Sequence, residues 1–184
     1  MTTLDLPRIE TKRLILRPPQ LSDLDPFSAF LASERARFVG GPKSDPGLTM
    51  RAFGHLAGLW VLRGYSCFVA ERKETAGAIG LFGLWFPATW PEPEMSWSLW
   101  QAEHEGQGFA TEAVRALLPW SYDRAGIATF ISVVDAANHA SRQVAQQVGA
   151  RVDAAATLAA NSPGSPFYAE DDDHVAVYRH RRAA

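Results

Sequence analysis

The sequence predicts one α+β (mixed α/β) domain over residues 1–184, with a central mixed, mostly antiparallel sheet of about seven strands flanked by about four helices. Three observations lead there. A chain of 184 residues that is 47% hydrophobic, with six Trp and ten Phe, can fill one core and is too apolar to stay disordered. Short apolar and β-branched runs alternate with helical patterns, and no repeat of solenoid or propeller period is visible. Two apolar runs joined by a turn-like segment, then a third run, describe an antiparallel meander and not a series of parallel crossovers.

The elements follow in order. Arg13-Leu14-Ile15-Leu16-Arg17 reads as a strand stopped by Pro18-Pro19. Ser22-Asp23-Leu24-Asp25 resembles a capping box and opens a helix with Leu24, Phe27, Phe30 and Leu31 on one face. A Gly/Pro-rich loop over 40–47 leads to a second helix carrying Met50, Phe53, Leu56, Ala57 and Trp60, weakened by Gly54 and Gly58 and ending near Gly64. Ser66–Glu71 and Ala78–Phe86, separated by Lys73–Gly77, pair as an antiparallel hairpin. Pro87, Pro91 and Pro93 lack N–H donors, so 87–93 is a loop before the strand resumes over Glu94–Trp100. A helical pattern from Gly108 to Arg124 stops at Gly126, and Pro119 is expected to kink or shorten it. Thr129–Val134 is a β-branched strand, and His139–Val148 is a shorter helix with Gly149 at its C-cap. Val152 and Val175–Tyr178 supply the last strands, with a loop over 161–173 between them.

Composition narrows the function. Eighteen basic against twenty acidic side chains give a formal charge of -2, with no overall electrostatic footprint for nucleic acid. The opening MTTLDLPRIE lacks a signal-peptide pattern and the longest apolar run, Ala78 to Phe86, is too short for a bilayer, so a cytoplasmic protein without a membrane partner is expected. The single cysteine, Cys67, excludes an internal disulfide and a multi-cysteine zinc site, and reads as a buried inert thiol beside Phe68 and Val69. His104-Glu105 is half of a zinc motif without a histidine at 108, so no metal is expected. Glu170–Asp173 reads as a solvated loop, with attraction of a cationic acceptor as the alternative, and Arg179, Arg181 and Arg182 read as a solvated tail.

The chemistry concentrates in Trp100-Gln101-Ala102-Glu103-His104-Glu105-Gly106-Gln107-Gly108-Phe109-Ala110-Thr111-Glu112-Ala113, a strand end, a glycine loop and a helix start in succession. Glycines let the backbone approach a ligand closely, and the first helical turn offers unpaired N–H groups and a partial positive charge. That combination holds a pyrophosphate by main chain alone. One strand later comes Asn138-His139-Ala140-Ser141, with Val148-Gly149-Ala150 downstream. A dinucleotide fingerprint is the competing reading, but it opens a βαβ unit, whereas this loop follows a meander.

These motifs resemble the GNAT superfamily of N-acetyltransferases. Glu105 to Ala113 looks like the acetyl-CoA loop of its RimJ/RimL-like branch, Asn138 to Ser141 like that branch's Asn-x-x-Ser, and Arg13 to Pro18 with Ser22-Asp23 like its opening strand and helix. The likeness spans roughly residues 9 to 180. It implies acetyl-CoA as co-substrate, held where the fourth and fifth predicted strands splay apart: the pantetheine arm along Ser98, Leu99 and Trp100, and the pyrophosphate on Gly106, Gln107, Gly108, Phe109, Ala110 and Thr111. Asn138 would bond the pantetheine arm or fix the loop around it, and Ser141 would face the thiol. Two departures stand out. Glu105 and Gln107 replace phosphate-neutralising side chains, which implies weaker CoA affinity, and Ala145 stands where many relatives carry the tyrosine that protonates the thiolate.

The implied reaction is direct attack of a primary amine on the thioester, the acceptor being a protein N-terminus, an amino acid, a polyamine or a drug-like amine. Such amines are largely protonated at neutral pH, so a base is needed, and the resemblance points to Glu94, with Ser141 or water meeting the thiolate. The opposing reading makes Glu94 an exposed carboxylate at a strand edge. Trp85, Trp90 and Trp97 surround the Pro-rich loop and would wall an acceptor pocket, although Trp97 reads as core packing. The other functional alternative is a non-catalytic acyl-CoA-binding module of the same fold, and either form is expected as a monomer or homodimer.

Overall fold

The computed structural model describes residues 6–170 and 174–182. One eight-stranded sheet runs in the order β1-β2-β3-β4-β5-β6-β8-β7. Its strands are β1 (Ile9–Glu10), β2 (Leu14–Arg17), β3 (Cys67–Arg72), β4 (Ala78–Trp85), β5 (Glu94–Leu99), β6 (Thr129–Asp135), β7 (Arg151–Val152) and β8 (Val175–Arg181). The helices are α1 (Leu24–Leu31), α2 (Pro46–Arg63), α3 (Phe109–Asp123), α4 (His139–Gln147) and α5 (Ala154–Ala160). All neighbouring strands pair antiparallel except β5 and β6.

Every predicted strand and helix has a counterpart, and the sheet gains β1 and the helices gain α5. β1 is a two-residue extension paired with β2, too short to carry an alternation. α5 is an alanine-rich segment whose start is set by Asp153, whose Oδ1 accepts the Ala156 N–H at 3.0 Å. The first helix enters differently from the Ser22 reading: a 3-10 turn over Leu21–Asp23 precedes α1, and Gln20 and Asp23 form the capping box. Asp23 is also buried and receives Arg17 through two bonds of 2.7 and 2.9 Å. α2 starts earlier than predicted, at Pro46, because the Asp45 carboxylate accepts the Leu48 N–H. Pro119 does not shorten α3, which runs on to Asp123. Arg179 and Arg181 belong to β8 and are no tail: Arg179 pairs with Glu92 at 2.7 Å and Asp153 at 2.6 Å.

The sheet is covered on both faces, which is why β3 reads as a continuous apolar run. Phe68 and Ala70 pack with Phe82, Met95, Phe109, Val114 and Leu117 on the α3 side. Cys67 and Val69 pack with Phe27, Phe53 and Trp100 on the α1 and α2 side. Close approach within the sheet demands glycine at position 80, since a Cβ there would lie 2.2 Å from the Ser98 carbonyl oxygen.

β5 and β6 touch in register only at Glu94 and Ile131, then diverge. The Ser132 hydroxyl, shared between the Met95 carbonyl at 2.5 Å and His180 Nε2 at 2.9 Å, ties the strands where they part. Beyond that point the two strands do not pair, and β5 runs on through a short 3-10 turn and the glycine loop into α3. No helix of the described residues is long and apolar enough to cross a membrane.

Candidate active site

The ladder between β4 and β5 decides which backbone groups face the opening. Leu81 opposes Ser98, and the Trp100 N–H donates to the Ile79 carbonyl at 2.9 Å, so Ser96, Ser98 and Trp100 direct their N–H and C=O groups at β4. The alternate residues, Met95, Trp97 and Leu99, turn theirs to the β6 side, where Met95 already meets Ser132. Of the stretch expected to hold a pantetheine arm, Leu99 therefore presents backbone to the splay, with Trp97 added. The backbone groups of Ser98 and Trp100 face the other way.

The glycine loop leads into α3 as its composition demands. Gly106 and Gly108 adopt φ of +70° and +77°, a left-handed conformation open to glycine at little cost. The first backbone bond of the helix runs from the Glu112 N–H to the Gly108 carbonyl at 3.0 Å, leaving the N–H groups of Gly108, Phe109, Ala110 and Thr111 without intrahelical acceptors. The Phe109 side chain is buried under the Arg13 guanidinium, which lies 4.1 Å from the ring centroid. Thr111 donates its hydroxyl to Gln147 of α4 at 2.7 Å, fastening the two helices together. Gln107 turns its amide back to the Glu103 carbonyl, and Glu105 accepts Arg35 at 2.6 Å.

A cleft between the diverging strands is lined by Glu94, Ser96 and Trp97 of β5, Ser132 and Val133 of β6, and Asn138 and Ser141. Phe38 and Val39, from a 3-10 turn over Glu34–Val39, close its other end. Asn138 caps α4, its Oδ1 accepting the Ser141 N–H at 3.1 Å. Trp97 is more than core packing: its Nε1 donates to the Ser141 hydroxyl at 3.2 Å. A larger concavity formed by Ala128, Thr129 and arginines 179, 181 and 182 lies at the opposite end of β6 and shares no residue with this cleft.

Glu94 is buried at 9% exposure, not an exposed edge carboxylate. Its Oε2 accepts from Trp90 Nε1 at 2.7 Å and its Oε1 from the Val133 N–H at 3.3 Å. Burial pushes its pKa up to about 7, and these two hydrogen bonds limit the rise. Trp90 is held edge-on against Phe167, ring centroids 4.7 Å apart, so the Pro-rich loop and the 161–170 segment together roof the carboxylate. Cys67 is buried, and burial pushes its thiol far up, away from nucleophilic use. Among the described residues no cluster of three metal-ligating side chains occurs. Asp171–Asp173 of the acidic run lie outside the described residues, and Glu170 is exposed.

Trp90, expected at an acceptor pocket, bonds Glu94, whereas Arg35 as the partner of Glu105 and the Phe38-Val39 wall had no sequence signal as site residues, because both come from a short 3-10 turn distant in the chain from the residues they meet.

A mixed sheet that opens between two parallel neighbours, a helix start with unpaired N–H groups and a buried carboxylate is the geometry to be set beside known proteins. Residues 13–151 match the family model described as an acetyltransferase (GNAT) domain. An acetyltransferase from Agrobacterium tumefaciens str. C58 has a crystal structure with 31% identity, covering 99% of this chain and 98% of that one at a TM-score of 0.80. This chain therefore belongs to the GNAT acetyltransferase family. RimL, a ribosomal alpha-N-protein acetyltransferase solved in complex with coenzyme A, shares the fold at 19% identity, a TM-score of 0.74 and coverage of 95% and 98%. A putative ribosomal-protein-serine acetyltransferase from Vibrio cholerae does so at 18% identity, 98% and 100% coverage and a TM-score of 0.73. No curated protein sequence matches.

Proposed function

We propose that this protein is an N-acetyltransferase that moves an acetyl group from acetyl-CoA to a primary amine within the β5/β6 cleft. The observation that carries the reading is Glu94: a buried carboxylate with a pKa of about 7 in the same cleft as Trp97 and Ser141. The residues present suit the donor, because the open edge of β5 offers Trp97 and Leu99 backbone and the start of α3 offers the N–H groups of Gly108 to Thr111. That RimL, of the same fold, was solved in complex with coenzyme A supports acetyl-CoA as the donor. Acetyl-CoA supplies the activated thioester.

The chain's own groups divide the remaining work. Glu94, about half ionised near neutral pH, takes the proton that the ammonium form of the acceptor must lose, directly or through one water. The amine nitrogen then forms its bond to the acetyl carbon as the carbon–sulfur bond breaks, without a covalent enzyme intermediate. An N–H on the open edge of β5 polarises the carbonyl oxygen. Ser141 accepts from Trp97 Nε1, which leaves its own O–H proton to be given to the departing thiolate while its oxygen takes, directly or through a water, the second proton that the nitrogen loses as the amide forms. Asn138 holds Ser141 in place through the cap of α4. Phe38 and Val39 give the cleft an apolar wall, and Trp90 holds the Glu94 carboxylate.

The test is release of free CoA thiol by the purified protein with a panel of peptides, amino acids, polyamines and aminoglycosides. Amine-dependent release that falls in Glu94→Gln supports the reading. Binding of CoA with no release for any amine would make the protein a non-catalytic acyl-CoA-binding module instead.

A further inference from the structure

The glycine loop carries a side chain opposed to its task. Glu105 places a carboxylate at the first position of a loop whose N–H groups suit a pyrophosphate, and Gln107 brings no charge. A second cation, Arg13, also reaches the loop: its Nε pairs with Glu112 at 2.6 Å and its Nη1 donates to the Gln107 carbonyl at 2.9 Å, so it does not touch the Glu105 carboxylate. Arg35 answers Glu105 from the 3-10 turn that also supplies Phe38 and Val39. Its Nη2 donates to Glu105 Oε1 at 2.6 Å and to the Leu99 carbonyl at 3.2 Å, and its Nε donates to the Trp100 carbonyl at 3.2 Å.

From this three-way contact we infer that Arg35 sets cofactor affinity: it cancels the Glu105 charge at the glycine loop and fixes the end of β5 against that loop. The inference rests on the acetyl-CoA reading of the cleft. A carboxylate left bare beside a bound pyrophosphate repels it, and two like charges several ångströms apart at a protein surface cost enough to weaken binding about tenfold. Arg35 removes that repulsion. Because Leu99 is the residue whose backbone opens to the splay, the same guanidinium also holds the rim along which a pantetheine arm would lie.

The pair makes separable predictions in a double-mutant cycle read by calorimetric titration with CoA. Arg35→Ala, which leaves Glu105 unpaired, weakens CoA binding about tenfold. Glu105→Gln binds CoA at least as tightly as wild type, since it removes a negative charge. The double variant Arg35→Ala/Glu105→Gln recovers to within about threefold of wild type, because the charge that Arg35 offsets is gone. A merely structural Arg35 would leave the double variant as weak as Arg35→Ala, and that result overturns the inference, as does unchanged affinity in Arg35→Ala. Thermal midpoints of the four proteins verify that each is folded, and Glu105→Gln with the double variant still decide the matter should Arg35→Ala fail to fold. Absence of CoA binding by the wild type would instead overturn the acetyl-CoA reading itself.

Discussion

Glu94→Gln makes the protein more stable at alkaline pH relative to acid pH than the wild type. In the folded chain the carboxyl binds its proton with a pKa of about 7, against an ordinary value of 4.5, because burial disfavours the ion. A carboxyl raised in this way carries no penalty below 4.5, and folding stability is lost as the pH climbs from there through about 7. Integrated between pH 5 and pH 9, that loss is about 2 to 3 kcal/mol. The carboxamide of the variant cannot ionise and escapes it. The substitution has a pH-independent cost, since a carboxamide offers one acceptor oxygen where the carboxylate accepts from both Trp90 and Val133. The quantity to read is therefore the change in the difference between the two proteins. Thermal unfolding in buffers from pH 5 to 9 is expected to move the wild type down against the variant by roughly 5 to 10 °C, at ~2 to 4 °C per kcal/mol for a chain of this size. A difference in midpoint that stays constant across that range would refute the account of Glu94 as a buried carboxyl that ionises near neutrality.

Trp90→Phe removes the bond that stabilises the ionised form of Glu94, so the acid limb of the kcat/KM profile moves about one pH unit upward, measured with the best amine of the panel. Gly80→Ala forces a Cβ onto the Ser98 carbonyl, where backbone and not a flexible side chain must yield; a loss of about 3 kcal/mol is expected in denaturant unfolding. Acetyl-CoA at ~100 times its Kd adds ~2.7 kcal/mol and raises the thermal midpoint by roughly 5 to 11 °C, whereas NADH leaves it in place.

The sequence carries most of the fold because local signals and tertiary demands agree. The β3/β4 hairpin is legible because a turn-forming segment separates two apolar runs, and α3 because Gly108 and Gly126 bracket its periodicity. α5 is not legible: seven residues dominated by alanine have no apolar face to count, and the helix is held by Asp153 and by packing of Ala160 on Ile131 and Val177. Arg179 misleads for a related reason. A basic run resembles a solvated tail until the fold brings Glu92 and Asp153 to it from distant segments. At the site, the glycine loop lies in a contiguous motif and can be read, whereas Asn138, expected to bond the pantetheine arm or fix the loop around it, caps α4. The state of Glu94 cannot be read, since its burial depends on Trp90, Phe167 and β6 converging on one carboxylate. Arg35 lies seventy residues from Glu105, and only the folded chain places opposite charges together.

A crystal structure of the wild type with CoA tests the central claim most directly. The pantetheine arm is expected between β5 and β6, bonded to Trp97 and Leu99 backbone, with the pyrophosphate on the N–H groups at the start of α3 and the thiol beside Ser141. Coenzyme bound elsewhere, or β5 and β6 closed into a continuous ladder with the glycine loop unengaged, would contradict it.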